Sequence, residues 1–168
     1  LIMLSLEDAQ IKYEENLRKD GKAQATITAY TKDVEQLAKY AKEQGKTNAE
    51  EINFEDIQQF KELLKKRRYT NKSISRKINS IKSFFRFLES EDVVDANPAE
   101  EVSHPKIKQS LPRYLSKLEY RALRDACRGD ARIAAIVELL LQTGMRISEL
   151  ANLQMEDVDL EREVVFIR

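Results

Sequence analysis

All three prolines of the chain, Pro98, Pro105 and Pro112, lie in one short segment, NPAEEVSHPKIKQSLPRYLS. Proline lacks a backbone N–H and disfavours the helical conformation in the residue before it, so this segment cannot form a continuous helix. It also shows no strand periodicity. We therefore predict an extended linker over residues 93–115, which divides the chain into an N-terminal block, residues 1–92, and a C-terminal block, residues 116–168.

The composition is that of a folded protein of one ordinary domain or two small ones, since 42% of its 168 residues are hydrophobic. Glu138 interrupts the longest apolar run, so we expect no membrane span. The single cysteine, Cys127, is predicted to be a small core residue in a reducing, cytoplasmic setting. No Cys, His or Asp cluster has metal-ligand spacing, and no glycine-rich phosphate loop is present.

The N-terminal block contains four helical patterns, in which apolar residues recur three and four positions apart. Ser5 and Asn53 are the predicted N-caps of the first and third helices, and Gly45 is a natural end for the second. The fourth pattern has a narrow apolar stripe: Ile74, Ile78, Ile81, Phe85 and Leu88. We predict a mainly α fold that begins with a four-helix bundle.

The charges of the chain are unevenly distributed, although the formal net charge is zero. Residues 61–90 carry 10 Lys and Arg against 2 Asp and Glu, whereas the residues on either side of this stretch have an excess of acid. A basic stretch in an otherwise acidic chain is typical of a surface that contacts phosphates.

The side of the fourth helix opposite its apolar stripe contains no acidic residue. Long cations with short hydrogen-bonding side chains suit the major groove of DNA, where cations contact phosphate or guanine and asparagine can pair with adenine. A solvated helix face is the alternative, but such faces usually mix both signs of charge. The predicted DNA contacts are Lys72, Arg76, Asn79, Ser83 and Arg86, with Ser80 at the edge, and Thr28 and Lys32 on the second helix as weaker candidates.

The C-terminal block begins with a predicted capping box, Ser116 and Glu119, and a helix that runs to Gly129. Asp130 is the predicted cap of the next helix, ARIAAIVELLLQ, which is apolar on nearly all sides and is expected to be buried. After the break TGMRISEL comes a strand signal, EVVFIR, without a visible partner in the chain. We therefore expect an α+β domain of which the chain contains only the beginning.

The motif TG-x-R-x-SEL after a buried helix, the NP…PK…LP linker and a basic helix ending in SFFRFLES together resemble the tyrosine recombinases, the phage-integrase and Xer-type family. The resemblance covers essentially the whole chain. It implies that the four-helix block is a SAM-like core-binding domain, which forms half of a clamp around DNA. The part after Pro112 is similar to the first third of the catalytic domain.

The resemblance implies that Arg146 is the first of two arginines that grip the scissile phosphate. A guanidinium is always charged and can hold two phosphate oxygens with its planar fork of donors. It implies a 3′-phosphotyrosyl intermediate, no metal or ATP, and a homo-tetramer on two DNA sites. Gly144 is expected to allow a tight turn, and Ser148 with Glu149 to start the helix that supports Arg146.

The other catalytic residues of the family have no counterparts here. The six tyrosines all precede Arg146, and the only histidine, His104, lies in the linker and is expected to be structural. We therefore expect this chain alone to be inactive and to assemble weakly. Two alternatives stay open: a short non-catalytic DNA-binding regulator, excluded if the coding sequence continues into H-x-x-R and a tyrosine, and a helical protein-interaction module, whose function would survive neutralisation of the basic face.

Overall fold

A computed structural model describes residues 4–107 and 111–167, and it is mainly helical, as predicted. The chain divides into two compact units, the N-terminal unit Leu1–Gln109 and the C-terminal unit Ser110–Arg168. No helix in the described part of the chain is long and apolar enough to cross a membrane.

The N-terminal unit contains the four predicted helices: α1 Leu6–Lys19, α2 Gln24–Glu43, α3 Phe54–Lys66 and α4 Asn71–Ser90. The predicted N-caps are confirmed, since the side chains of Ser5 and Asn53 each accept a backbone hydrogen bond at 3.1 Å from the third residue beyond them. A short 3₁₀ helix, Ala49–Glu51, connects α2 to α3. Local sequence signals therefore set the starts of α1 and α3.

The core of the N-terminal unit forms where α2 packs against α1, α3 and α4. All five residues of the predicted α4 stripe are buried. Phe84 is also buried. Its ring packs edge-on against the rings of Tyr13 and Phe85, with centroid distances of 5.3 Å and 5.2 Å. The bundle thus holds α4 by its apolar side and leaves the opposite side outward.

The first part of the predicted linker packs against the four-helix bundle and is not an extended connection. Val93, Val94, Ala99 and Val102 are buried in the core of the N-terminal unit. The Asn97 side chain fixes this segment by donating to the Lys82 carbonyl at 3.1 Å. Prolines exclude a helix here, but they do not prevent an irregular segment from covering the core. The compact unit therefore extends well beyond residue 92.

The C-terminal unit contains α5 Lys117–Ala126, α6 Ala131–Thr143 and the short α7 Ile147–Ala151, followed by a 3₁₀ turn Met155–Asp157. The capping box of Ser116 and Glu119 is confirmed, and the Asp130 carboxylate accepts the N–H groups of the next helix. Helix α5 ends three residues before Gly129, and the chain then turns into α6.

Two expectations for the C-terminal unit were wrong in detail. The strand β2 Val164–Val165 has a partner, because it pairs antiparallel with β1 Val158–Asp159 in a short hairpin. The hairpin was missed because β1 has only two residues. Helix α6 is not fully buried at any residue, and Ile133 is 49% exposed. An all-round apolar helix requires neighbours on every side, and the described residues do not supply them.

Candidate nucleic-acid interface

The outer face of α4 presents most of the residues that the sequence singled out. Lys72, Asn79 and Arg86 are exposed, Arg76 is partly exposed and Ser83 is half-buried. The helix is fixed by the Thr70 hydroxyl, which accepts the Ser73 N–H at 3.2 Å. Because the opposite side of α4 lies in the core, these side chains are held on a rigid element at the surface.

A buried carboxylate lies directly beneath this face. Asp33 of α2 is 1% exposed and accepts hydrogen bonds from Arg76, Lys77 and Ser80 of α4. Arg76 donates through both terminal nitrogens, at 2.5 and 3.1 Å, and Lys77 donates at 2.8 Å. A buried carboxylate is tolerated only when it is paired and hydrogen-bonded in this way. Asp33 therefore joins α2 to α4 in a fixed register.

This network changes the interpretation of two predicted DNA contacts. Ser80 is fully buried and its hydroxyl donates to Asp33 at 2.8 Å, so it presents no group at the surface. Arg76 uses one edge of its guanidinium on Asp33 and keeps only part of its donor set for another partner. Asp33 was not predicted to take part in this surface, although an acidic residue next to the apolar stripe of α2 was a signal for it.

The two candidates on α2 lie beside this network. Thr28 and Lys32 are exposed, and they flank Ala29, whose carbonyl accepts from Arg76 Nη1 at 3.4 Å. Arg76 thus bridges from α4 to the part of α2 that carries both candidates. The structure brings the α2 and α4 candidates to one side of the N-terminal unit.

At the far end of α4 the surroundings are acidic. Arg86 Nη2 lies 4.0 Å from Glu100 Oε2, and both side chains are exposed. Glu89 and Glu101 line the same shallow cavity. Solvent screening makes such an exposed pair weak, so Glu100 does not fix the Arg86 side chain.

Arg146 lies in the C-terminal unit, at the N-cap position of α7. Gly144 has a left-handed backbone (φ 66°) and ends α6, which produces the predicted turn. Glu149 accepts from the Arg146 backbone N–H at 2.7 Å and from its guanidinium at 2.5 Å. These hydrogen bonds lower the pKa of Glu149. Glu149 therefore supports the backbone of Arg146, whereas Ser148 lies within the helix and does not cap it.

The remaining side chains with reactive groups are His104 and Cys127. The His104 ring lies 2.9 Å from the Ser75 hydroxyl, and burial lowers the pKa of His104. Cys127 is buried and unpaired. Within residues 4–107 and 111–167, no cluster of His, Cys, Asp or Glu could hold a metal ion.

Two protein-family models match the chain: "Phage integrase, N-terminal SAM-like domain" over residues 11–92, and "Phage integrase family" over residues 113–168. Curated relatives include a tyrosine recombinase XerC from Roseiflexus sp., 34% identical over 83% of this chain and 46% of its own length. Another, from Listeria monocytogenes, is 32% identical over 85% of this chain and 49% of its own length. The chain spans about half the length of these relatives.

The chain therefore belongs to the phage integrase family, whose matched relatives are tyrosine recombinases. Solved structures share the fold at low identity. A lambda integrase tetramer bound to a Holliday junction has a TM-score of 0.75 at 18% identity, over 94% of this chain and 46% of that one. The N-terminal domain of a phage integrase/site-specific recombinase from Haloarcula marismortui has a TM-score of 0.58 at 20% identity, over 62% of this chain and all of that one.

Proposed function

We propose that this chain is the DNA-binding N-terminal part of a site-specific tyrosine recombinase. Its partner is double-stranded DNA, and the complete enzyme cleaves and rejoins DNA through a 3′-phosphotyrosyl intermediate. The outer face of α4 carries the proposal, because a rigid bundle presents cations and hydrogen-bonding groups there, and the acidic side chains described above lie near its far end, beside Arg86. The family membership supports it.

The contacts have different roles in this proposal. Lys72 and Arg86 bind phosphates, because they are long, charged and exposed at opposite ends of the face. Asn79, between them, is the side chain suited to reading an adenine edge. Ser83 and the α2 residues Thr28 and Lys32 add hydrogen bonds and charge at the margin. Ser80 is no longer among the contacts, because it is buried.

Arg146 acts in the complete enzyme as one arm of the clamp on the scissile phosphate. Its side chain is 81% exposed, and its guanidinium pairs with Glu149 on one side, so a phosphate can still reach it. The charge that grows on the phosphate oxygens in the transition state is stabilised by a fixed cation, and loss of such a donor typically costs on the order of 10²–10³ in rate. The chemistry requires neither a metal nor another cofactor.

The complete enzyme works as a homo-tetramer on two DNA sites in this proposal, and a lambda integrase tetramer bound to a Holliday junction supports it. The six tyrosines of this chain all precede Arg146, and none matches the position of the nucleophile. By itself the chain therefore binds DNA without cleaving it and assembles weakly. A reducing, cytoplasmic location fits the unpaired Cys127.

The test is binding of the 168-residue chain to a fluorescent mixed-sequence duplex over a salt series. We expect Lys72→Glu with Arg86→Glu to weaken binding by roughly tenfold or more and to lower the salt slope by about 1.8, at about 0.9 per lost phosphate contact. Arg76 is left unchanged, because a glutamate there would face buried Asp33 and disturb the fold.

The matched control is Lys12→Glu with Lys19→Glu, which makes the same charge change on exposed positions of α1. We expect this control to keep the wild-type salt slope and most of the affinity. If the two double variants bind alike, the α4 face is not the contact surface. If the unmodified chain shows no salt-dependent binding at low ionic strength, the proposal that this part binds DNA by itself is wrong.

A further inference from the structure

The structure shows that much of the basic stretch, residues 61–90, is already occupied within the fold. Lys61 and Lys77 are buried. Lys82 donates to the Glu100 carbonyl at 2.7 Å, and Lys65 pairs with Glu62 at 2.6 Å. Arg76 is paired with Asp33, and Arg86 lies near Glu100. The positive charge that is available to a ligand is therefore smaller than the excess of Lys and Arg in the sequence suggests.

The four remaining cations lie between the last residue of α3 and the first turn of α4. In the part of the chain that the structure describes, Lys66, Arg67, Arg68 and Lys72 are exposed, and none has a carboxylate oxygen within 4.0 Å. Lys72 belongs to the α4 face, whereas Arg67 and Arg68 form the turn between α3 and α4. We call these two arginines the basic turn.

The basic turn is held in place by the backbone and by Tyr69. Arg67 and Arg68 each donate a backbone N–H to a carbonyl in the last turn of α3, both at 2.9 Å. The Tyr69 hydroxyl accepts from Gln36 of α2 at 3.1 Å, and its ring lies 5.3 Å from the Lys77 ammonium. The turn is thus fixed against both helices that carry the predicted DNA contacts.

Arg68 occupies a backbone conformation that arginine does not prefer. Its φ is 60°, in the left-handed region, where a side chain with a Cβ is strained. After α1, α2 and α6 the chain places glycine in this conformation. Asp92 and Glu163 also adopt it, and of these three residues aspartate tolerates it best. An arginine at a position suited to glycine indicates a role for its side chain.

The basic turn continues the surface of α2. Arg67, Lys32 and Lys39 line one groove between α2 and α3, together with the carboxylates Glu35 and Glu43. The groove therefore contains three cations and two carboxylates. Arg68 does not line the groove, and it has no carboxylate oxygen within 4.0 Å. Positive charge therefore runs from Lys32 across the turn to Lys72 at the first turn of α4.

We propose that Arg67 and Arg68 each bind a backbone phosphate of the same duplex whose groove receives α4. This inference rests on the proposed function and extends its footprint to a site outside the α4 face. Helix α4 begins three residues after Arg68, so a duplex that contacts Lys72 brings one sugar–phosphate strand to the turn. Phosphate contacts of this kind fix the position of a protein on DNA without reading its sequence.

A purely structural explanation of the basic turn predicts a different outcome. Cations at the end of α3 also complement the helix dipole, which explains Lys65 and Lys66 in its last turn. This effect fades within one turn and does not require arginine at the strained position 68. Replacement of Arg68 by glycine separates the two roles, because it removes strain and charge together.

The experiment uses the 168-residue chain and the same fluorescent mixed-sequence duplex, at about 0.1 M salt and over a salt series. For Arg67→Ala with Arg68→Gly we expect binding on the order of tenfold weaker and a salt slope lowered by about 1.8. For Arg68→Gly alone we expect a higher Tm together with weaker binding and a slope lowered by about 0.9. A structural role would move Tm and affinity in the same direction.

The control is Lys12→Ala with Lys19→Ala, which removes the same charge from α1. If the double variant of the basic turn has the salt slope of this control, the inference is overturned, while the α4 proposal stands on its own variant. If Lys72→Glu with Arg86→Glu leaves binding intact but the turn variant weakens it, the turn binds DNA and the α4 face does not. If neither variant affects binding, both proposals fail.

Discussion

The two units of this protein use similar helical patterns but differ in how completely they bury them. In the N-terminal unit Phe84 and Phe85 are 0% exposed. In the C-terminal unit Leu118 of α5 is 77% exposed and Ile147 of α7 is 75% exposed, and no residue of α5, α6 or α7 is buried. A periodic pattern states which side of a helix is apolar, but burial also requires a second surface to cover that side.

This difference has a direct consequence for stability. Apolar side chains contribute to folding in proportion to the area that they remove from water, so the N-terminal unit obtains far more from its core. The C-terminal unit depends more on local interactions, such as the caps of α5 and α6. We expect the two units to respond differently to the same kind of substitution.

The largest difference is expected for loss of an apolar side chain. Phe85→Ala should lower the free energy of unfolding by about 3–5 kcal/mol, because it leaves a cavity in the core. Leu118→Ala, on the exposed side of α5, should change it by less than about 0.5 kcal/mol. Urea unfolding followed by circular dichroism measures both. Equal effects would show that the C-terminal unit has a core that the structure does not reveal.

Removal of one partner of an ion pair should also destabilise the N-terminal unit more than the C-terminal unit. Asp33→Asn should destabilise the N-terminal unit by about 3 kcal/mol, because buried Lys77 loses its carboxylate. Glu138→Gln in the C-terminal unit removes the partner of Arg124 from a partly exposed pair, so we expect less than about 1 kcal/mol. Thermal unfolding of the two variants compares them, and a small effect of Asp33→Asn would contradict the role of this carboxylate in joining α2 to α4.

An alkaline transition is expected for the N-terminal unit. Burial raises the pKa of Tyr13 from 10.0 to about 12, because the phenolate is disfavoured inside the core. The unfolded chain releases this proton first as the pH rises. The stabilisation is therefore complete below pH 10 and is lost between about pH 10 and pH 12, up to roughly 2–3 kcal/mol.

Tyr13→Phe should remove this part of the decrease in unfolding free energy at alkaline pH, since phenylalanine has no phenolic proton to release. The measurement is the free energy of unfolding of both proteins from pH 8 to pH 12, scaled to about 1.4 kcal/mol per pKa unit. Parallel curves for the two proteins would show that Tyr13 is not the responsible group.

The smallest effect is expected for the helix caps, and it tests where local interactions matter most. Asn53→Ala and Ser116→Ala each remove a cap, which typically costs about 1 kcal/mol. Helix α3 should stay formed without its cap, because its apolar side is packed in the core. In α5, which buries no residue, we expect faster amide hydrogen exchange along the whole helix. Equal exchange rates in both helices would contradict the contrast between the units.

Much of the fold could be predicted because its signals are local. The caps at Ser5, Asn53 and Ser116 depend on side chains within three residues of the helix start. The α4 stripe follows from the helical period, and so does the outward face with Lys72, Asn79 and Arg86. The family resemblance, which is confirmed, rested on motifs that are also short. The roles of the named residues in DNA binding stay predictions.

The features that were missed depend on residues far apart in the chain. Ser80 appeared to be a surface residue, but Asp33, 47 positions away, draws its hydroxyl into the interior. The packing of Val94 and Val102 on the bundle depends on a path that prolines do not specify. The partner of β2 was missed because a two-residue strand has no readable period.

By itself the sequence determined where several helices begin, which sides of the bundle helices are apolar, and where positive charge is concentrated. These properties depend on the conformation of a few neighbouring residues. Only the tertiary structure decided which of the ten cations are already paired or buried, and that Arg67 and Arg68 are among those that are free. The physical reason is that the availability of a charge depends on what folding brings against it.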